Sequence, residues 1–382
     1  MFHFGRRLLA VTAAAFLFSL TACAGGGPRQ VPPIVTPGGQ TDTGSVTTES
    51  LKAEYTVVDV GVLSGDTSSV ANAINNLGVV VGSSSGSSGQ HAFSFNDGTI
   101  TQLAGLPQST VDEALGISNT GFIVGDSNGT PSDPANVGSG ENAVEWSGGA
   151  AAVSLATVIA NSHCGHSATS ALGVNGANRI VGWVNDPCAP SAYESAVLWT
   201  KTTSAKILDH CSGPYIRQYT IATAINRSGE AVGYCYSADG ESRPIGNGLI
   251  LLPSVSAVSS VTQLNAVNAG GAAAGSLTTQ TSAEHAALYA NGTATDLGAL
   301  PGDAVSSANA ISAGNVVVGI SSSSAYLIPS AYGAGDRAFV YCGGTMADLN
   351  TLIPAKSGWT LYSANGVNKG GEIVGVGEYN GA

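Results

Sequence analysis

Apolar and polar residues recur along this chain in one pattern, copied seven times. Aligned on Ile74, Ile117, Val174, Ile225, Val267, Ile311 and Val367, every copy has Ala or Gly one position earlier and glycine eight positions later, from Gly82 to Gly375. Asn or Ser directly follows the apolar residue. The fourth position after it is Gly78, Gly121, Asn178, Gly229, Gly271, Asn315 and Gly371. Glycine enters the left-handed region without steric cost, and asparagine is its usual substitute. Asn or Ser at the turn entry bonds its own backbone two residues on. The pattern therefore predicts a tight hairpin, a type I turn closed by a left-handed bulge residue.

Strand periodicity flanks each hairpin. Before it comes a strand such as Thr56 to Gly61 or Ala294 to Gly298. After it comes a strand with alternating apolar residues and a closing aromatic: His91 to Phe95, Asn142 to Trp146, Ser195 to Trp199, His285 to Tyr289 and Arg337 to Tyr341. The fourth copy, near Arg243 to Asn247, is eroded. Each unit thus has four short strands, and the hairpins are spaced 42 to 57 residues apart. Such units predict an all-β fold over residues 55–382, a seven-bladed β-propeller of four-stranded antiparallel blades. A β-helix would use shorter rungs, and separate domains would need linkers that the chain lacks. After Gly375 the chain has no room for a full final strand, so residues 45–52 are expected to fill that place and close the ring.

The same motifs carry a family resemblance. The A-x-A-I-N-x-x-G-x-V-V-G hairpin, the D-L-G strand and His91-Ala92-Phe93 resemble the HAF-type probable extracellular repeat over roughly residues 55–382. The resemblance implies export and repeat architecture and brings no established activity or catalytic residues.

The N-terminus implies the same compartment. Arg6 and Arg7, an apolar run from Leu8 to Leu20 and then Leu20-Thr21-Ala22-Cys23 form a basic, apolar, small-residue series. This reads as a secretory signal over residues 1–22, and a cysteine at its end resembles the lipobox of bacterial lipoproteins. Cys23 is then the lipidation (palmitate) site, and the lipid is the only membrane contact expected. The run is shorter than the roughly 20 apolar residues a membrane-spanning helix needs. Ala24 supplies no acidic retention signal, which points to the outer membrane in a Gram-negative host. Residues 23–54, rich in Gly, Pro, Thr and Ser, bury too little to offset ordering entropy and read as a flexible tether.

Charge narrows the partners. Losing residues 1–22 leaves 11 of the 13 Lys and Arg against 25 acidic residues, a net −14. That argues against nucleic acid and anionic lipid surfaces as ligands. Beyond Cys23 an odd set remains: Cys164, Cys188, Cys211, Cys235 and Cys342. In an exported protein, Cys164–Cys188 and Cys211–Cys235 are expected as disulfides, both 24 residues apart, with Cys342 as a free thiol. The sharper alternative is a zinc site at His163, Cys164, His166, His210 and Cys211.

Strands alternating in direction collect the long connections 126–141, 157–169, 184–194, 209–219, 235–242 and 349–361 on one face, where binding usually lives. Asp66, Asp303 and Asp112-Glu113 lie before the hairpins, but no calcium-loop series, nucleophile elbow, phosphate loop or His-Glu-x-x-His accompanies them. Asp59, Asp296 and Asp348 read as strand-end hydrogen-bonding groups. No catalytic residue, metal or cofactor is therefore assigned, and an enzyme is not expected. The reading is a monomeric, lipid-anchored envelope module that binds a glycan or an envelope protein on its long-loop face. The alternative is an envelope enzyme acting on glycans through acids at one propeller face.

Overall fold

The structure, a computed structural model, describes residues 14–18, 55–130, 141–149, 151–155, 168–186, 193–201, 204–208, 218–237, 242–246, 260–324, 327 and 332–381. Their strands form seven antiparallel sheets, six of four strands and one of three. In the first, Asp66–Ile74, Val80–Gly86, Gly89–Asn96 and Thr99–Gln102 lie side by side in chain order. The three-stranded sheet begins at Gln218 and ends with Ser242–Gly246, the copy whose sequence is eroded. The first strands of successive sheets touch in turn, and Trp359–Val367 of the last touches Asp66–Ile74 of the first. This is an all-β propeller of mainly four-stranded antiparallel blades set around an axis.

Sheet membership differs from the expected grouping. The strand that precedes each hairpin in sequence is the outermost strand of the preceding blade. Thr99–Gln102 and Thr293–Gly298, for instance, pair with the third strands before them. A short connection then carries the chain from that rim to the axis. Repeats show the order of strands, while pairing partners are set by where that connection leads.

At the axis the hairpins form as expected. Gly78, Gly121, Asn178, Gly229, Gly271, Asn315 and Gly371 all have positive φ, between 53° and 93°. The invariant glycine eight positions on has a separate cause. Each innermost strand slips register by one residue beside it, as between Ala71 and Ala73 opposite Gly82 and Val81. This bulge drives a carbonyl toward the neighbouring strand. A Cβ on Gly82 would lie 1.9 Å from the Val70 oxygen, and on Gly182 1.8 Å from the Ser170 oxygen.

The bulge also frees one side chain per blade, and most of these reach the next blade. The amides of Asn72, Asn265, Asn309 and Asn365 donate to the carbonyls of Ala114, Ala308, Ala364 and Ala71, and Thr223 Oγ1 donates to Leu264. The turn-entry asparagines form a second belt. Asn75, Asn175, Asn226, Asn268 and Asn368 donate from Nδ2 to the carbonyls of Ser118, Asn226, Asn268, Ser312 and Asn75. Their Oδ1 atoms meanwhile accept the turn N–H groups, such as Leu77 and Val79 on Asn75. Asn365 and Asn368 thus join the last blade to the first.

Asn368→Ala is expected to cost about 1–3 kcal/mol, because it removes the donor that ties the last blade to the Asn75 carbonyl and leaves the Gly370 and Glu372 N–H groups without their side-chain acceptor. Asn368→Ser is expected to cost less, since Ser118 and Ser312 accept the equivalent turn N–H groups at 3.1 Å. Urea unfolding of the two variants measures the difference.

Between blades, apolar side chains fill the gaps. Ala274, Ala286 and Leu297 of one blade pack on Ala308, Val317 and Phe339 of the next. The closing aromatics Phe95, Trp146, Trp199 and Tyr289 are buried in such layers.

The last blade closes differently from the expectation. Its strands are Trp359–Val367, Ile373–Tyr379, Ala14–Phe18 and Val58–Asp59. The third place, expected for residues 45–52, is held by Ala14–Phe18; residues 45–52 lie outside the described residues. Ala15-Phe16-Leu17-Phe18 matches Ala92-Phe93-Ser94-Phe95, and Phe16 stands opposite Gly375 as Phe93 stands opposite Gly82. The apolar run Leu8 to Leu20 therefore contains a further copy of the repeat's third strand.

Candidate functional site

Chain direction fixes two unlike faces. One end of the ring carries the uniform hairpins and their asparagine belt. The other carries the longer connections. Of the six connections expected on that face, 131–140, 156–167, 187–192, 209–217 and 238–241 lie outside the described residues, whereas 349–361 is described throughout.

Acidic groups gather near the axis. Glu113 and Asp126 are directly opposite each other on the first two strands of the second blade. Glu113 accepts from Asn72 Nδ2 at 3.0 Å and Gln90 Nε2 at 3.1 Å, both from the first blade. Asp126 accepts from Ser170 Oγ at 3.0 Å and the Ala171 N–H at 3.3 Å, both from the third. Burial, reinforced by the Glu141 carboxylate, pushes the Asp126 carboxyl well above the usual carboxylate range. From the connection after the sixth blade's second strand comes Tyr332, hydrogen-bonded to Ser363 and Asn365. Burial and the Glu113 carboxylate raise its phenol.

Asp126 holds its proton in the fold to a higher pH than in the unfolded chain. Between those two values the native state binds more protons, so stability falls as pH rises through that window. Asp126→Asn is expected to raise the melting temperature at pH 8 and to leave it nearly unchanged near pH 4. Thermal melts across that range measure the crossover.

At the rim, a cavity of about 500 Å³ is lined by Thr56, Val57, Asp59, Pro354, Ser357, Trp359 and Tyr379. Pro354, Ser357 and Trp359 come from connection 349–361. Trp359 and Tyr379 are register partners with ring centroids 5.4 Å apart and planes inclined by 40°. Gly358, at φ +80°, lets Tyr379 approach: a Cβ there would meet its ring at 2.9 Å. The Asn380 N–H donates to the Gly358 carbonyl at 2.8 Å and locks the two chain segments together. The Asp59 carboxylate, aligned by the Gly61 N–H at 2.8 Å, supplies the cavity's charge.

The remaining candidates fall as follows. Asp59, Asp296 and Asp348 accept the N–H two residues on, at 2.7–2.9 Å, as strand-end groups. Asp303 pairs with Arg337, which also meets Asp348. Asp112 accepts from Ser109 and Ser127. His91 meets Ser88, and His285 meets Asp296. Among the described residues no group of three or more His, Cys, Asp or Glu is placed to hold a metal.

Cys23, Cys164, Cys188 and Cys211 lie outside the described residues, as do His163, His166 and His210. Cys235 is disulfide-bonded. So is Cys342, which corrects its assignment as a free thiol. A whole blade, Ser260–Gly298, separates Cys235 from Cys342. The two therefore do not pair with each other. The odd count behind the free thiol left out Cys23. The opposed acids, Tyr332 and the Trp359–Tyr379 pair had no spacing signal, because strand pairing alone brings them together.

No protein-family model matches the chain, and no curated protein matches it. Solved structures do. A TolB-like protein of Agrobacterium tumefaciens is 10% identical, with a TM-score of 0.46 over 96% of this chain and 98% of that one. A Mycobacterium tuberculosis puromycin-hydrolyzing peptidase is 14% identical, with a TM-score of 0.42 over 72% of this chain and 44% of that one. The propeller domain of the Trilobed protease from Pyrococcus furiosus is 9% identical, with a TM-score of 0.34 over 74% and 97%. The likeness is one of fold. It assigns no family and no activity, and the HAF-type resemblance stays one of motifs.

Proposed function

We propose that the chain is a seven-bladed propeller serving as a monomeric binding module of the cell envelope. In this reading it is held at the membrane by lipid on Cys23, and takes a glycan or envelope-protein ligand on its long-connection face. The observation that carries the reading is the asymmetry of the ring. Seven near-identical turns, five of them tied to the next blade by an asparagine, stiffen one end and leave variable connections at the other, an arrangement suited to presenting a binding surface. Exchanging 157–169 and 209–219 for short turns is expected to abolish capture of envelope components by the full chain. Capture unchanged by the exchange would refute the face assignment.

Anchoring at Cys23 has a structural consequence. Processing there removes residues 1–22 and with them Ala14–Phe18, so the structure corresponds to the unprocessed chain. One sulfur also carries either a thioether to lipid or a disulfide. If Cys164–Cys188 and Cys211–Cys235 both form, the partner left for Cys342 is Cys23. Non-reducing peptide mapping of the processed protein is expected to find both pairs.

A second reading, an envelope enzyme acting on glycans, is favoured by the opposed Glu113 and Asp126. A carboxyl whose hold on its proton is strengthened by burial and by neighbouring carboxylates suits the acid of an acid/base pair. Loss of glycan hydrolysis in Asp126→Asn would support it.

A further inference from the structure

We propose that the cavity at Trp359 and Tyr379 is a subsite for a neutral carbohydrate. The inference rests on the binding reading of the long-connection face and names the ligand class of one part of it. The cavity has the make-up that a sugar requires. Two inclined aromatic rings offer electron-rich faces to the C–H bonds of a pyranose. The hydroxyls of Thr56 and Ser357 and the Asp59 carboxylate surround them, able to hydrogen-bond to sugar hydroxyls. Neither Lys nor Arg lines the cavity, so an anionic ligand finds no counter-charge. Its volume, about 500 Å³, lies within the roughly 300–1,000 Å³ typical of small-ligand sites and accommodates a short oligosaccharide.

The site is also set before a ligand arrives. Gly358 and Asn380 hold their positive-φ conformations, and the bond between them fixes the two ring-bearing segments relative to each other. Asp59 is likewise aligned by Gly61, and its segment is held independently of Ala14–Phe18 by the Tyr55 N–H, which donates to the Leu352 carbonyl at 2.8 Å. Preorganisation of this kind lowers the ordering cost of binding. Tyr379 keeps 43% of its surface exposed, so a ring plane is accessible from solvent.

The test titrates the full chain with neutral oligosaccharides, using tryptophan fluorescence and calorimetry, with tetramethylammonium as a cationic probe for the same aromatic pair. Neutral oligosaccharide is expected to bind and to shift the Trp359 emission. Tyr379→Ala, at an exposed position, is expected to weaken binding about tenfold, equivalent to about 1.4 kcal/mol. Asp59→Asn is expected to weaken it less, and Trp359→Phe to keep part of the affinity. Binding of tetramethylammonium in place of sugar, or sugar binding that survives both Tyr379→Ala and Trp359→Phe unchanged, would overturn the inference. Absence of sugar binding, with capture still lost on exchange of 157–169 and 209–219, would overturn the inference and leave the face assignment standing.

Discussion

Gly182→Ala is expected to destabilise the protein by about 3–5 kcal/mol, a cost at the upper end for a single methyl group. The added carbon would sit 1.8 Å from the Ser170 carbonyl oxygen and 2.9 Å from its carbon. Both are backbone atoms, so no side-chain rotation relieves the clash. Relief requires undoing the bulge between Ala171 and Gly173, which shifts the innermost strand against the neighbouring blades. The same substitution at Gly176, where the nearest atom is a Thr120 methyl at 3.8 Å, is expected to be nearly neutral. Urea unfolding of both variants gives the comparison directly.

Removal of residues 1–22 is expected to open the last blade while leaving the ring closed. Ala14–Phe18 pairs with Ile373–Gly377 at five positions and with Val58 and Asp59 at two, so its loss exposes two strand edges at once. Amide exchange over 373–377 and 58–59 is expected to accelerate by about a hundredfold or more as local opening becomes easy. The inner junction is tied by Asn365 to Ala71 and Asn368 to Asn75, bonds in which Ala14–Phe18 takes no part, although that strand also lies against Asp66–Ile74. Protection at Ala71 to Ile74 is therefore expected to persist. An exposed edge also invites pairing with other chains, so the shortened chain is expected to self-associate more readily than the full one.

What the residues revealed in advance, and what they hid, divides along physical lines. The turn was legible because one steric rule, positive φ at the fourth position, selects Gly or Asn at all seven copies. The strands were legible from period-two alternation and a closing aromatic. The role of Asn72, Asn265, Asn309 and Asn365 was hidden. Its cause is a bulge that exists only once two strands pair, and the same bulge explains the invariant glycine. Blade membership was hidden for a related reason: an outermost strand is adjacent in sequence to the blade it does not join. Ala14–Phe18 was masked by its surroundings, since an apolar run between Arg7 and Cys23 carries the stronger mark of an export signal. Within the candidate site, connection 349–361 was expected on the binding face. The cavity itself depends on Tyr379 and on Thr56 to Asp59, which meet it only through strand register.

Intact mass of the protein recovered from its native membrane fraction tests the central claim most directly. The expected result is a chain that begins at Cys23 and carries the added mass of lipid, with Ala14–Phe18 gone and the last blade open. A chain recovered with residues 1–22 in place and no lipid would contradict it, and would make Ala14–Phe18 a permanent strand of the ring.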